Sequence, residues 1–150
     1  EVTNEDYVGM MCVFGNGARG TFEVCRSVVG PESQNMFEVY GTKGSIRWNF
    51  EKMNELQVYV AADHAHTGYT TVFGGDRFPH HGNFVPGSAN SIGFEDLVCI
   101  EDHEFLQSVA AGRQHVPGFA EALQYVSVQQ AVLDSWADGR WHDVPNMRVD

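Results

Sequence analysis

The most constraining feature of the sequence is a glycine-rich hexapeptide, Gly15-Asn16-Gly17-Ala18-Arg19-Gly20, placed between two strand-like segments. It matches the GxGxxG pattern that binds dinucleotides, and Glu38 lies where a ribose-binding acid is expected. That pattern works only when a helix follows it, because the pyrophosphate rests on the N–H groups of the helix N-terminus. Residues 21–29 are instead largely β-branched and aromatic. We therefore predict a hairpin with a two-residue turn at Asn16-Gly17 and no nicotinamide site in this chain.

The composition excludes several classes of partner. The chain has 150 residues, the length of a single domain, and a formal net charge of −11 with no basic stripe. Binding to nucleic acid or to an anionic membrane is therefore disfavoured. No apolar run approaches the roughly 20 residues of a bilayer span, and the acidic residues 1–6 do not suit a signal peptide. We expect a cytoplasmic protein, and the missing initiator Met indicates an excerpt from a longer one.

The cysteines argue against a disulfide framework, because three is an odd number. With a two-residue turn, Cys12 faces Thr21 and Cys25 faces Val8, which places both thiols on one face about 13 Å apart. A disulfide spans at most about 7 Å between Cα atoms. We expect Cys12, Cys25 and Cys99 to be small buried apolar side chains.

Strand-like segments fill the first half of the chain. The predicted strands are 7–14, 21–29, 34–40, 45–49, 55–60 and 69–73. Short turns separate them and no helical period intervenes, which predicts an antiparallel meander. Neither parity of the first strand is polar, so we expect the sheet to be covered on both faces.

The second half predicts two helices. One begins at Phe94 and stops at Gly112, and the next begins at Pro117 and stops at Gly139. Residues 141–144 are predicted to form an edge strand. The fold class is therefore α+β, an open and mainly antiparallel β-sheet with two C-terminal helices, within a single domain over residues 1–150.

The segment 74–93, between the last strand and the first helix, is the candidate binding region. It is rich in Gly, Pro, His and Asn, and loops this long in a compact domain are often functional. His80 and His81 are the leading substrate-binding candidates, because imidazoles both donate and accept hydrogen bonds. Asn83 in the same loop and Arg26 in an apolar strand are further candidates. The alternative is that the histidines face solvent and that Arg26 pairs with an acid.

A second class of function is a metal site. His64 and His66 point to one face if their segment is extended, and His80, His81 or a carboxylate could complete three or four ligands. The chain would then be a stand-alone metal-binding β-protein. The spacing matches no strong ligand motif, so we assign no metal ligand.

A series of motifs runs through most of the chain. They are Phe37-Glu38-Val39-Tyr40-Gly41-Thr42-Lys43-Gly44-Ser45-Ile46-Arg47-Trp48, Phe84-Val85-Pro86-Gly87, Gly93-Phe94-Glu95-Asp96-Leu97, Phe105-Leu106-Gln107-Ser108-Val109-Ala110-Ala111-Gly112 and Pro117-Gly118-Phe119. The most specific is the Gly-Thr-Lys-Gly-Ser turn that leads into a strand with Trp. In this combination the sequence resembles the C-terminal domain of the glucose-fructose oxidoreductase / inositol dehydrogenase / MocA (Gfo/Idh/MocA) oxidoreductase family.

The resemblance implies a dihydrodipicolinate-reductase-like C-terminal domain, whose open sheet walls a substrate pocket and forms subunit contacts. It implies that NAD or NADP is bound by an N-terminal Rossmann domain that is not in this chain. The family's catalytic Glu-Lys-Pro tripeptide is not matched by Glu51-Lys52-Met53, and no Asp-x-x-x-His helix precedes the sheet. We therefore expect no catalytic residue here and no activity from this chain alone.

The implied function is substrate binding and homo-oligomerisation for an NAD(P)-dependent sugar, polyol or inositol dehydrogenase. The alternative within this picture is a purely structural oligomerisation module.

Overall fold

The computed structural model describes residues 3–62 and 67–147 and confirms an α+β fold. The strands are β1 (Tyr7–Val13), β2 (Arg19–Cys25), β3 (Met36–Gly41), β4 (Gly44–Asn49), β5 (Glu55–Val60) and β6 (Thr70–Phe73). The helices are α1 (Phe94–Ala111) and α2 (Phe119–Asp138), with 3₁₀ turns at Phe50–Lys52 and His81–Asn83. Over the described ranges, no helix has the length and apolar character needed to cross a membrane.

The chain divides into two compact units. One comprises residues 1–28 and 104–150, and the other comprises residues 29–103. The antiparallel pairing predicted from the sequence is confirmed, and the strands are shared between a β1-β2 ribbon and a four-stranded sheet of order β3-β4-β5-β6. The first unit holds the ribbon and α2, whereas the second holds the four-stranded sheet and the loop after β6.

The predicted hairpin at the glycine-rich hexapeptide is confirmed, but its turn has three residues, not two. The N–H of Gly17 donates to the carbonyl of Phe14 at 2.8 Å. Gly17 has a φ of 85°, and neither of the two preceding residues has a positive φ. A type I turn followed by one left-handed residue is the usual three-residue hairpin loop. Strand β2 begins at Arg19, within the GxGxxG pattern, so no helix N-terminus follows this pattern.

The longer turn shifts the register of the hairpin by one residue. Cys12 lies opposite Gly20, and Cys25 lies opposite Tyr7. Because a one-residue slip reverses the face of every side chain, the two thiols lie on opposite faces, and their expected placement on one face is wrong. All three cysteines are free, with Cys99 exposed and the other two half-buried, so their expected full burial is wrong.

The four-stranded sheet has one polar and one apolar face. The register places Glu38 opposite Arg47 and Arg47 opposite Gln57, so polar side chains form a row across three strands. The alternate residues form the apolar face, which carries Phe37, Val39, Ile46, Trp48, Leu56, Val58 and Val72. The β3–β4 turn requires glycine at position 44, because an added Cβ would meet the carbonyl oxygen of Tyr59.

A chain of aromatic rings extends from the apolar face of this sheet to the start of α1. Trp48 has its ring centroid 5.8 Å from Phe37 and 5.9 Å from Phe50, and Phe50 lies 6.3 Å from Phe94. The indole N–H of Trp48 donates to the carbonyl of Met53 at 3.0 Å, so its polar atom is satisfied in the part-buried site. This contact fixes the residues that precede β5.

Glycines end both helices as predicted. Gly112 follows α1 with a φ of 60°, and Gly139 follows α2 with a φ of 71°, the left-handed conformation that stops a helix. α2 begins at Phe119 instead of the predicted Pro117. The Glu121 carboxylate accepts the N-cap N–H at 2.7 Å and so defines this start.

Few apolar side chains are buried within this chain. Among the described hydrophobic residues only Val85 and Ile92 are buried, with 9% and 6% of their surface exposed. Tyr7, Met11 and Val13 on one face of β1 are 57%, 69% and 58% exposed. The chain itself therefore does not cover both faces of the sheet, contrary to the expectation from the sequence.

The edge strand predicted at residues 141–144 is wrong, because those residues form no strand.

Candidate functional site

The candidate binding loop, residues 74–93, connects β6 to α1 and lies wholly within the second unit. Its first residue donates the Gly74 N–H to the carbonyl of Asn54 at 2.8 Å, and the Gly74 carbonyl accepts the N–H of Ala89 at 2.9 Å. Near its end, the Asn54 side chain bonds both backbone groups of Ile92, at 2.9 and 3.0 Å. The loop is therefore tied to one point of the sheet although it contains only one 3₁₀ turn.

The 3₁₀ turn at His81–Asn83 organises the middle of the loop. The His81 carbonyl accepts the N–H groups of Phe84 and Val85 at 3.0 and 2.9 Å, and the His80 carbonyl accepts that of Asn83 at 2.9 Å. One of these bonds gives the N–H of the buried Val85 a partner. The turn thus presents two adjacent histidines on a fixed backbone.

His80 has an unusual backbone conformation. Its φ is 64°, in the left-handed region that costs an L-residue roughly 1–2 kcal/mol. Its half-buried ring packs edge-on against that of His103, with centroids 6.5 Å apart. Strained residues that the surrounding structure holds in place cluster at binding sites.

The His81 ring contacts two residues that precede it in the loop. It packs edge-on against Phe78 at 6.0 Å, and its Nδ1 lies 3.2 Å from the carbonyl of Pro79. Nε2 lies beside Gly74, where an added Cβ would approach it to 3.0 Å. His81 therefore shapes the loop, whereas His80 occupies the strained position next to it.

The four predicted site residues are divided between the two units. His80, His81 and Asn83 share the 3₁₀ turn and its flank, and Asn83 is exposed. Arg26 belongs to the other unit, and its side chain is exposed. The Arg26 Nε lies 3.8 Å from Asp6 Oδ1, and the Arg26 backbone N–H donates to the Asp6 backbone carbonyl. An exposed ion pair of this kind contributes little to stability, and it matches the alternative given for Arg26 on sequence grounds.

Asn54, Gly74 and Gly75 were not among the residues predicted from the sequence to form the site. Asn54 precedes β5 and looks like an ordinary turn residue, yet it contacts Ile92, 38 residues away. Gly75 is buried, and an added Cβ there would lie 2.7 Å from the Cα of Ser88. The only signal in the sequence was the glycine pair itself, which marks a close backbone approach without naming the partner.

The metal alternative involves two pairs of histidines, His64 with His66 and His80 with His81. His64 and His66 lie outside the described residues. Among residues 3–62 and 67–147, no group of three His, Cys, Asp or Glu side chains is arranged to hold a metal ion.

The polar face of the four-stranded sheet is internally hydrogen-bonded. The Tyr40 hydroxyl donates to Glu38 Oε2 at 2.6 Å, and this bond to the carboxylate raises the pKa of Tyr40. The Arg47 guanidinium lies 4.4 Å from the ring centroid of Tyr69, a cation–π distance.

Comparisons with known proteins agree with this architecture. Residues 1–47 match the model of the GFO/IDH/MocA C-terminal domain. Levoglucosan dehydrogenase of Pseudarthrobacter phenanthrenivorans is 37% identical over 95% of this chain, and the chain spans 37% of that relative's length.

Solved structures show the same likeness. Levoglucosan dehydrogenase in complex with NADH and L-sorbose has a TM-score of 0.90 and 36% identity, covering 95% of this chain and 38% of that one. An NAD binding oxidoreductase from Klebsiella pneumoniae has a TM-score of 0.88 and 31% identity, covering 97% of this chain and 39% of that one. The chain therefore matches the C-terminal domain of the GFO/IDH/MocA oxidoreductases in sequence and in fold.

Proposed function

We propose that this chain is the C-terminal domain of a longer NAD-dependent sugar dehydrogenase and forms the wall of its substrate site. The observation that carries the proposal is the similarity to levoglucosan dehydrogenase solved with NADH and L-sorbose, at a TM-score of 0.90. In this proposal, the Rossmann domain and the proton-transfer groups belong to another part of the parent protein. The curated relative has the length for such a domain, since this chain spans 37% of it.

The proposed substrate is a monosaccharide or anhydrosugar with several adjacent hydroxyl groups. Relatives at 36% and 37% identity were solved with L-sorbose and with levoglucosan, each together with NADH. Because these relatives were solved with these sugars and with NADH, we favour sugars over inositols and other polyols, and NAD over NADP. A cytoplasmic location is part of the proposal.

Within this chain we assign the sugar contact to the histidine turn, which consists of His80 and the 3₁₀ turn His81–Asn83. His80 has a strained backbone and a half-buried imidazole, which both donates and accepts hydrogen bonds to hydroxyl groups. His81 shapes the turn through Phe78 and Pro79, and Asn83 offers an exposed amide beside it. A substrate-binding role for Arg26 stays a prediction, and its ion pair with Asp6 does not support that role.

We also propose that the domain joins subunits through its sheets. Apolar side chains of β3, the edge strand of the four-stranded sheet, are exposed, with Phe37 at 47% and Val39 at 54%. Exposed contiguous apolar surface of this kind marks contact sites. A homo-oligomer covers such faces without any further component.

The test uses the full-length parent enzyme with NAD and levoglucosan, L-sorbose or myo-inositol, with NADH formation as the readout. We expect turnover of at least one of the two sugars, and less with NADP in place of NAD. His80→Ala should raise the sugar KM about ten-fold, the effect of losing one hydrogen bond to the substrate. The control His115→Ala changes a histidine of the other unit and should leave KM unchanged. Turnover of myo-inositol alone, or of none of the three, would contradict the proposal.

A second measurement addresses the cofactor directly. Because a strand follows the GxGxxG pattern, the chain offers no helix N-terminus there to the pyrophosphate. Calorimetry of the purified 150-residue chain should detect no binding of NADH. Sub-millimolar affinity would place a nicotinamide site in this domain and overturn the division of roles.

A further inference from the structure

We propose that Asn54 is the positioning residue of the candidate sugar-binding loop, because one side chain and its own backbone hold both ends of that loop. The proposal rests on the assignment of the sugar contact to His80. Asn54 acts through the backbone of residues 74 and 92, to which it is hydrogen-bonded.

These contacts use three of the four polar groups of Asn54. Its backbone carbonyl accepts the Gly74 N–H at 2.8 Å, where the chain leaves β6. Its side-chain amide donates to the Ile92 carbonyl at 2.9 Å, and its side-chain oxygen accepts the Ile92 N–H at 3.0 Å. The amide therefore pairs with Ile92 as a neighbouring strand would, and only this orientation of the amide satisfies both groups.

The burial of Ile92 makes these bonds hard to replace. Ile92 is 6% exposed, so its backbone N–H and carbonyl have little access to water. A buried backbone group that loses its partner carries the desolvation penalty of an unmade hydrogen bond. Removing the Asn54 amide therefore removes the two hydrogen bonds that hold the end of the loop, at Ile92, to the residue before β5.

The same point is connected to the histidine turn. Gly74, held by Asn54, lies beside the His81 ring, so close that an added Cβ would come within 3.0 Å of Nε2. The Gly74 carbonyl accepts the Ala89 N–H at 2.9 Å. A shift of Gly74 is thus transmitted to His81 and, through the 3₁₀ turn, to His80. Misplacing a binding group by about 1 Å is enough to reduce catalysis by roughly a hundred-fold.

The experiment compares Asn54→Ala with wild type in the full-length parent enzyme. We expect the KM for the sugar to rise by roughly ten-fold while the KM for NAD stays unchanged, because only the sugar-side loop is released. We also expect trypsin to cleave after Arg77, inside the loop, roughly ten- to thirty-fold faster, the factor set by losing two ordinary hydrogen bonds.

A matched control is Gln124→Ala. The Gln124 amide likewise donates to one backbone carbonyl, that of Pro145, and accepts one N–H, that of Met147, both at 3.1 Å. It lies in the other unit, so its loss should leave cleavage after Arg77 and the sugar KM at wild-type values. If Asn54→Ala does not fold, Asn54→Leu keeps the side-chain volume and removes the same bonds.

The two readouts separate this proposal from the function on which it rests. Faster cleavage of the Asn54 variant in an enzyme that oxidises no sugar would support the positioning role and overturn the proposed function. Cleavage and sugar KM equal to those of Gln124→Ala would overturn the positioning role. An equal rise in the KM of sugar and NAD would also overturn it, because that pattern indicates general destabilisation.

Discussion

At the scale of single residues, two positions in the binding loop hold a backbone that favours glycine. His80 has a φ of 64° and Ala89 a φ of 60°. Each carries the left-handed penalty of roughly 1–2 kcal/mol, which glycine would not. The surrounding hydrogen bonds hold both residues in place, and only one of them bears a side chain able to recognise a hydroxyl group.

This pair allows strain and recognition to be separated. We expect His80→Gly and Ala89→Gly each to change the free energy of unfolding by less than about 1 kcal/mol, because relief of strain is offset by the greater entropy of an unfolded chain with glycine. Urea unfolding measures this. In the full-length enzyme, His80→Gly should raise the sugar KM about ten-fold and Ala89→Gly should not. Equal effects of the two variants on KM would refute a specific role for the imidazole.

At the scale of elements, a carboxylate anchors the connection between β2 and β3. Glu51, in the 3₁₀ turn Phe50–Lys52, accepts the N–H groups of Glu32 and Ser33 through one oxygen, at 2.8 and 3.2 Å. The bond from Glu32 and then that from Ser33 lower the pKa of Glu51 below its ordinary value of 4.5. This segment has no regular structure, so the turn after β4 fixes its course.

The lowered pKa gives a signed prediction for stability. The contribution of Glu51 is complete above its ordinary pKa of 4.5 and is lost as the pH falls through the lower pKa of the folded state. We expect Glu51→Gln to lower the free energy of unfolding at pH 7. The difference in free energy of unfolding between this variant and wild type should shrink as the pH falls below 4.5. Urea unfolding across pH measures this difference. Glu32→Gln is the control, since it keeps both N–H donors, and a constant difference for Glu51→Gln at every pH would contradict the linkage.

At the scale of the whole molecule, the chain leaves much of its apolar surface uncovered. Phe119, Trp136 and Trp141 are 87%, 84% and 69% exposed, and β3 is exposed along its full length. A monomeric soluble protein rarely presents so many exposed aromatic side chains. Under the function proposed above, this apolar surface is covered by another copy or by the rest of the parent protein.

We expect the purified chain to sediment as a dimer or larger species at micromolar concentration. Val39→Lys should weaken this association by roughly a hundred-fold, because burying an unpaired ammonium group in an interface costs several kcal/mol. Val29→Lys is the matched control: Val29 is 96% exposed and belongs to no strand. A wild-type chain that sediments as a clean monomer would exclude association through the sheets.

Much of the fold was accessible from the sequence because its signals are local. Gly112 and Gly139 end their helices as predicted, and the bounds of β5, at 55–60, match the predicted strand. The hairpin at residues 15–17 was also predicted, but its loop length was not, since Gly17 alone takes positive φ there. That single residue reversed the predicted faces of Cys12 and Cys25.

The sequence by itself determined the antiparallel class, the two helices and the loop that carries His80 and His81, because backbone preference and hydrophobic period act over a few residues. Only the tertiary structure decided that Asn54 binds Ile92, that Arg26 lies in a different unit from the histidines, and which side chains the chain leaves exposed. These outcomes join residues dozens of positions apart. They depend on which surfaces meet, and no short segment of sequence contains that information.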